Sequence, residues 1–247
     1  RAWNTMSATR HCPCCNSSPS SMGSDAALGM SHDWPTTAAE ARALQDTIGK
    51  HVVVAPLGDT PIRYVAGVDI GFEDRGETTR AAIVVFDADT HERVDEALVR
   101  SPTRMPYIPG LLSFREVPGA LEALAALDIT PDLLMVDGHG IAHPKRLGVA
   151  THLGLASGLP SIGIAKKRLV GTHAAVPEER LAWTPLVERD ETIAAVLRSR
   201  VGVKPIFVSP GHRTDLTNAL NWCSHFLTRY RLPETTRAAD KLASYRQ

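Results

Sequence analysis

A chain of 247 residues, 43% of them hydrophobic, is long enough to bury the core of one α/β domain. Its 27 basic and 27 acidic residues cancel, so no overall field attracts nucleic acid or a membrane, and a polyanionic partner would have to be held by a local patch. No apolar run is long enough to span a membrane and no signal peptide is evident, so we expect a cytoplasmic protein.

Residues 1–34 are rich in Ser, Gly, Cys and Met without periodicity, and we expect a disordered leader before a single domain at residues 35–247. Three of the four cysteines, Cys12, Cys14 and Cys15, crowd into this leader beside His11. A C-x-C-C run without a second pair of ligands lacks the usual zinc spacing, so we do not predict a structural zinc site.

The first half of the domain predicts a helix, three strands and a second helix. Thr36 and Thr37 can cap a helix that continues to residue 48. Strand patterns follow at residues 64–70, 81–87 and 93–100, and their short polar turns are typical of an antiparallel meander. A loop rich in Pro and Gly, residues 101–112, then leads to a helix at residues 113–127.

The second half alternates strands and helices. Strands at residues 133–136 and 161–165 enclose a helix at residues 147–158, so these strands should be parallel. Residues 186–200 fit a helix or a strand; a strand at 206–209 and helices at 216–230 and 235–246 complete the chain. A mixed α/β sheet flanked by helices, with three antiparallel strands leading, is the ribonuclease H-like arrangement.

Four acids could meet at one end of such a sheet. Asp69 and Asp137 each end an apolar strand, and element order makes the two strands neighbours. Glu116 falls in the first turn of the helix after the loop, and Asp240 lies in the last helix. Taken singly, Asp137 could be a turn residue, Glu116 a charge favoured by the helix dipole and Asp240 a solvated surface acid. Asp69, inside an otherwise apolar strand, needs a partner.

Together, four crowded carboxylates would be costly unless they are protonated or neutralised by cations. Oxygen ligands suit Mg²⁺ or Mn²⁺ rather than zinc, and an acid cluster with divalent ions is suited to the attack of water on a phosphodiester. A local patch for a polyanion also exists, because residues 138–176 contain five cations and no acid: Lys145, Arg146, Lys166, Lys167 and Arg168.

Five segments carry a resemblance to a known family. They read VAGVDI at residues 65–70, MPYIPGLLSFRE at 105–116, VDGHGIAHP at 136–144, SPGHR at 209–213 and PETTRAAD at 233–240. In this order they resemble the motifs of endonuclease V, a ribonuclease H-like, Mg²⁺-dependent repair nuclease. The resemblance covers residues 35–245, and the leader has no counterpart in it.

The resemblance implies a role for each motif residue. It implies that Asp69, Glu116, Asp137 and Asp240 bind metal, with Asp240 the most variable position because the family also accepts histidine there. It makes Tyr107 part of a wedge that fills the space left by an extruded base, and it implies that Gly110, Leu112, Gly138 and Val149 line the base pocket.

The cations and histidines complete the predicted site. Lys166 resembles a family lysine near the scissile phosphate, and we count it among the catalytic residues with the four acids. We assign Lys145, Arg146, Lys167 and Arg168 to backbone phosphates. His143 and His212 are candidates for contact with the site, whereas His139 is expected to be structural.

The resemblance implies an endonuclease that nicks DNA at the second phosphodiester bond 3′ to deoxyinosine, leaving 3′-hydroxyl and 5′-phosphate ends. Mg²⁺ is the expected cofactor, and Mn²⁺ should also support activity. The partner would be DNA containing deoxyinosine, without a membrane or an obligate protein partner. Two alternatives stay open: an inosine-specific endoribonuclease, and a nucleic-acid-binding module without catalysis.

Overall fold

The computed structural model describes residues 32–244, which form an eight-stranded mixed sheet flanked by helices. The strand order across the sheet is β3-β2-β1-β4-β5-β8-β7-β6. The strands are β1 Tyr64–Glu73, β2 Thr78–Asp87, β3 Arg93–Pro102, β4 Leu133–Asp137, β5 Ser161–Ala165, β6 Trp183–Glu188, β7 Glu191–Leu197 and β8 Ile206–Pro210. The five helices in this part of the chain are α1 Ala38–Ile48, α2 Leu112–Ala125, α3 Val149–Ser157, α4 Leu216–His225 and α5 Glu234–Ser244.

Strand directions agree with the sequence analysis. β1, β2 and β3 form the predicted antiparallel meander. β4 is parallel to both β1 and β5, as the alternation of strands and helices predicted. Residues 186–200, which fitted either a helix or a strand, contribute to an antiparallel pair of strands, β6 and β7. The fold is therefore ribonuclease H-like, as predicted.

Two apolar cores cover the two faces of the sheet. Alternate β4 residues separate between them, with Leu133 and Met135 in one core and Leu134 and Val136 in the other. The first core contains residues of α4 together with Ala238 of α5, and the second contains residues of α2 and α3. This alternation decides which helix each strand-end acid can meet.

Most element boundaries differ from the prediction by a few residues, for example β2, which begins at Thr78 rather than at residue 81. β1 continues past its predicted end at residue 70 to Glu73, because it stays paired with β2 after its pairing with β4 has ended. α4 ends at His225 rather than near residue 230, because the Leu227 N–H bonds to the Ser224 carbonyl and the chain leaves the helix at Phe226. β3 extends two residues beyond the predicted end at residue 100.

Most of the predicted leader, including Cys12, Cys14 and Cys15, lies outside the described residues. The last three leader residues do pack on the domain, since Trp34 contacts two apolar clusters and His32 Nε2 lies 3.1 Å from His152 Nε2. Within residues 32–244, no helix combines the length and apolar character that crossing a membrane requires.

Candidate active site

Asp69 and Asp137 lie side by side on adjacent parallel strands. β1 pairs with β4 only up to Val68 and Val136, so each acid directly follows the last residue that pairs between these two strands. Because side chains alternate along a strand, both acids share the face of Val65 and Leu133, which is the face covered by α5. The neighbourhood predicted from element order is confirmed.

Asp240 approaches the same point from α5. This helix packs so closely on β1 that a Cβ atom at Gly67 would collide with the carbonyl group of Thr235. Carboxylate oxygens of Asp69, Asp137 and Asp240 lie within 4.8 Å of one another. We call these three residues the acid triad.

Glu116 is close to the acid triad but approaches from the opposite face. It is the fifth residue of α2, so the prediction that it lies in the first helical turn was wrong by one position. It is only 8% exposed, which excludes the interpretation of a surface charge at a helix terminus. Burial and, next, the charges of Asp69 and Asp137 raise the pKa of Glu116 to about 8.

The acid triad needs positive charge or protons to be stable. Burial and, next, the charges of Asp137 and Asp240 raise the pKa of Asp69 to about 7. Clustered carboxylates that hold their protons this strongly release them to a bound cation. Since every donor is a carboxylate oxygen, the acid triad with Glu116 beside it fits a hard divalent ion.

Lys166 provides positive charge at this point in the structure. It directly follows β5, and its Nζ lies 2.5 Å from Asp137 Oδ2 and 3.4 Å from Asp240 Oδ1. Burial lowers the pKa of Lys166, but the hydrogen bond to Asp137 and the surrounding carboxylates outweigh it and raise the pKa overall. The ammonium group therefore stays charged beside the acids.

A cavity of about 220 Å³ adjoins the acids and is lined by all five residues predicted for the base pocket and wedge. Asp137 and Glu116 form part of its wall, so the cavity and the acids are continuous. The predicted residues in the wall are Tyr107, Gly110, Leu112, Gly138 and Val149.

The loop that carries Tyr107 is fixed at both ends while the tyrosine itself is exposed. Met105 and Leu111 are each 2% exposed, and Gln45 Nε2 donates to the Gly110 carbonyl oxygen at 2.9 Å. Tyr107 is 65% exposed between these anchors. An aromatic ring held out from a fixed loop can stack on a base without first ordering the loop.

Gly138 allows two segments of the cavity wall to pack closely against each other. Its φ of +152° is unfavourable for other residues, and a Cβ atom there would collide with Val149 Cγ1. The cavity depends on this close approach of the β4–α3 connection to α3.

Sequence analysis missed several residues of the cavity wall, among them Ser113, Leu147 and Leu169. Leu169 is 53% exposed directly after three cations, and a large apolar side chain in that context could have indicated a contact for a base. Ser113 and Leu147 are buried residues whose position follows only from packing.

Two of the three histidines discussed from the sequence line the cavity, and the third lies away from it. His143 lines the cavity, and burial, followed by the charges of His139 and Arg146, lowers its pKa to about 4. His139 also lines the cavity and its Nε2 lies 3.0 Å from the Lys167 carbonyl oxygen, which agrees with a structural role. His212 does not belong to the site, because its backbone exchanges hydrogen bonds with Ser161 at the other end of β5.

The predicted phosphate-binding cations differ in availability. Lys167 and Arg168 are exposed beside the cavity. Lys145 forms an exposed pair with Asp46 at 2.7 Å, which costs little to break. Arg146 is held by Glu188 at 2.5 Å and Glu191 at 2.8 Å. These ion pairs connect the β4–α3 loop to β6 and β7 and make Arg146 the least available of the four.

Comparison with known proteins agrees with the motifs. A family model described as Endonuclease V matches residues 46–241. The Endonuclease V of Azotobacter vinelandii is 55% identical over 215 residues, which cover 87% of this chain and 96% of that protein. The crystal structure of Endonuclease V from Streptomyces avermitilis is 42% identical, covers 87% of this chain and 95% of that chain, and superposes with a TM-score of 0.81.

A more distant solved structure includes nucleic acid. Ciona intestinalis Endonuclease V, in complex with a 24mer DNA containing an inosine followed by a ribo-adenosine, is 26% identical with a TM-score of 0.71 and covers 83% of this chain and 95% of that chain. The matches extend over nearly the full length of each relative. The chain therefore belongs to the endonuclease V family of nucleases.

Proposed function

We propose that this protein is a Mg²⁺-dependent repair endonuclease that nicks DNA at the second phosphodiester bond 3′ to deoxyinosine. The observation that carries the proposal is that Asp137 belongs both to the acid triad and to the cavity wall. A base bound in the cavity would therefore bring its own strand against the acids. The complex of the Ciona relative with inosine-containing DNA supports the choice of base.

The cavity has properties that suit one extruded base. Its volume of about 220 Å³ is below the roughly 300–1,000 Å³ of sites for drug-sized ligands. Hypoxanthine has an N1–H donor and an O6 acceptor, whereas adenine presents the opposite pattern on that edge. Backbone groups at Gly110 and Gly138 could distinguish the two without a charged side chain. A weakly paired base also costs less to extrude from the duplex.

The acids supply the metal-binding groups for hydrolysis of the phosphodiester bond. Asp69, Asp137 and Asp240, with Glu116 beside them, would hold the divalent ion. When bound, the ion would activate water and neutralise charge on the phosphate. Lys166 would donate to a phosphate oxygen near the scissile bond. Breaking the bond between phosphorus and O3′ leaves a 3′-hydroxyl and a 5′-phosphate end.

An end-labelled duplex with one deoxyinosine tests the proposal directly. We expect the purified protein with Mg²⁺ to nick this duplex, with little action on the same duplex carrying adenine, and the product length gives the bond cleaved. Asp137→Asn should abolish cleavage while binding of the inosine duplex persists. An inosine duplex left intact by the wild-type protein would show that the proposal is wrong.

One observation keeps a second candidate, an inosine-specific endoribonuclease, in the experiment. The strand bound by the Ciona relative has a ribo-adenosine directly after the inosine. Matched oligonucleotides in DNA, RNA and DNA with one ribonucleotide after the inosine separate the two candidates by their relative cleavage rates. Binding of all three without cleavage of any would instead favour the non-catalytic binding module.

A further inference from the structure

A second, larger cavity lies where β1, β2 and β3 meet the start of α2. It has a volume of about 980 Å³, and four arginines from separate segments line it: Arg75, Arg80, Arg100 and Arg115. We call it the arginine cavity. None of these residues belongs to the acid triad or to the cavity proposed for the base.

The two acids of the arginine cavity are already engaged within the protein. Glu73 pairs with Arg80 Nη1 and, at 3.2 Å, with Arg100 Nε. Asp74 Oδ2 accepts a hydrogen bond from Thr78 Oγ1 at 2.7 Å. Four guanidinium groups against two carboxylates leave excess positive charge facing the cavity.

Two of the guanidinium groups are fixed in place with a donor unused. The Arg115 guanidinium stacks 3.9 Å from the Phe72 ring centroid, and its Nη2 donates to the Gly76 carbonyl oxygen at 2.8 Å. The Nε–H groups of Arg80 and Arg115 are buried, and neither has an acceptor within residues 32–244. Because these two guanidinium groups are held in place, their remaining N–H groups line the cavity at fixed positions, which suits a ligand with several acceptor oxygens.

The arginine cavity is also adjacent to the acids along two elements. Glu73 follows Asp69 by four residues on β1, which corresponds to about 13 Å at roughly 3.3 Å per residue. Arg115 directly precedes Glu116 on α2. A stacked strand rises about 3.4 Å per nucleotide, so about four nucleotides cover this separation.

We propose that the arginine cavity binds a backbone phosphate of the nucleic-acid substrate, a few nucleotides from the bond that is cleaved. This inference rests on the proposed action on nucleic acid. The contact would anchor the strand without reading its sequence, because a phosphate is the same next to every base.

The double variant Arg75→Gln/Arg100→Gln tests the cavity and leaves the Arg80–Glu73 pair intact. We expect affinity for inosine and undamaged duplexes to fall alike, by about 10-fold. The slope of log affinity against log salt concentration should decrease by about 1, because one phosphate is no longer neutralised by the protein. Arg93→Gln, at the other end of β3, is the matched control and should leave both quantities unchanged.

Neutral methylphosphonate linkages identify the phosphate. One such linkage at a position a few nucleotides from the cleaved bond should weaken wild-type binding by about 10-fold and have little further effect on the double variant. The inference is overturned if no single linkage shows this coupling, or if the double variant binds like Arg93→Gln. It is also overturned if inorganic phosphate binding depends on these arginines while oligonucleotide binding does not.

The outcomes separate this inference from the proposed function. Coupling to one phosphate in a protein that does not cleave inosine substrates would support the arginine cavity and overturn the proposed function. Cleavage beside inosine with no effect of the double variant on binding would do the reverse.

Discussion

Lys166 Nζ lies 2.5 Å from Asp137 Oδ2, so the residue that follows β5 pairs with the last residue of β4. The two strands are parallel, and their carboxyl ends reach the same edge of the sheet. The ammonium group also lies 3.4 Å from Asp240 Oδ1 on α5. Lys166 is thus the cation that the fold itself brings to the acid triad.

Lys166→Met should impair the chemical step more than binding. Loss of a charged donor aimed at developing charge typically costs about 10²- to 10³-fold in rate. We expect single-turnover cleavage of an inosine duplex to slow by that amount, while duplex affinity changes by only a few-fold. Lys167→Met is the control, because Lys167 is assigned to a backbone phosphate and lies outside the acid triad, so its loss should lower affinity without slowing single-turnover cleavage. Equal cleavage rates for the two variants would remove Lys166 from the catalytic site.

The acids were predictable to different degrees. Asp69 and Asp137 could be paired from the sequence, because each ends an apolar strand and parallel neighbours bring their carboxyl ends together. The position of Asp240 depends on how closely α5 packs over Gly67, which local sequence does not encode.

The arginine cavity could not be predicted at all. Its four arginines come from a turn, two strands and a helix spread over 41 residues, and they converge only through the register of β1, β2 and β3 and the packing of α2 against β2 and β3. The same holds for Arg146, whose carboxylate partners lie on β6 and at the start of β7, a segment that the sequence left ambiguous.

The stability of the metal-free protein should fall between pH 7 and pH 9. Burial and, next, neighbouring carboxylates raise the pKa of Glu116 to about 8. The same kinds of cause raise the pKa of Asp69 to about 7. The folded state therefore holds protons that the unfolded chain has released, and their stabilising contribution is lost as the pH rises through these values.

Integrating the titration of Glu116 over this range gives about 1–2 kcal/mol, or roughly 3–6 °C in Tm. The range from pH 7 to pH 9 lies above the pH at which the histidines with lowered pKa values affect stability. Those histidines would make stability rise with pH, but only below about pH 6.5. Thermal unfolding with a chelator present measures the effect, and Glu116→Gln should remove most of it. A wild-type Tm that stays constant or rises from pH 7 to pH 9 would contradict these pKa shifts.

Tyr107→Ala should weaken lesion binding without harming the fold. The side chain is 65% exposed, and exposed substitutions usually change stability by no more than about 0.5 kcal/mol. Loss of a stacked base costs about 1–3 kcal/mol, so affinity for the inosine duplex should fall by roughly 5- to 150-fold. Tyr107→Phe keeps the ring and should keep the affinity. Trp183→Ala, on the β6 edge of the sheet, controls for loss of an exposed aromatic. Unchanged affinity in Tyr107→Ala would reject the wedge role.

Gly138→Ala should lower the stability of the protein through backbone strain and should also impair recognition of the base by the cavity. At a φ of +152°, the new Cβ atom would press on Val149 Cγ1 and move a wall of the cavity. Gly202→Ala provides the matched control, because Gly202 has a φ of +74° but a Cβ atom there would have no neighbouring atom within 4 Å. Both variants should lose about 1–3 kcal/mol of stability from strain. Only Gly138→Ala should also lose its preference for inosine over undamaged duplex, measured as a ratio of dissociation constants in the metal-free state. An equal ratio in the two variants would show that Gly138 is needed for the backbone alone and not for recognition of the base.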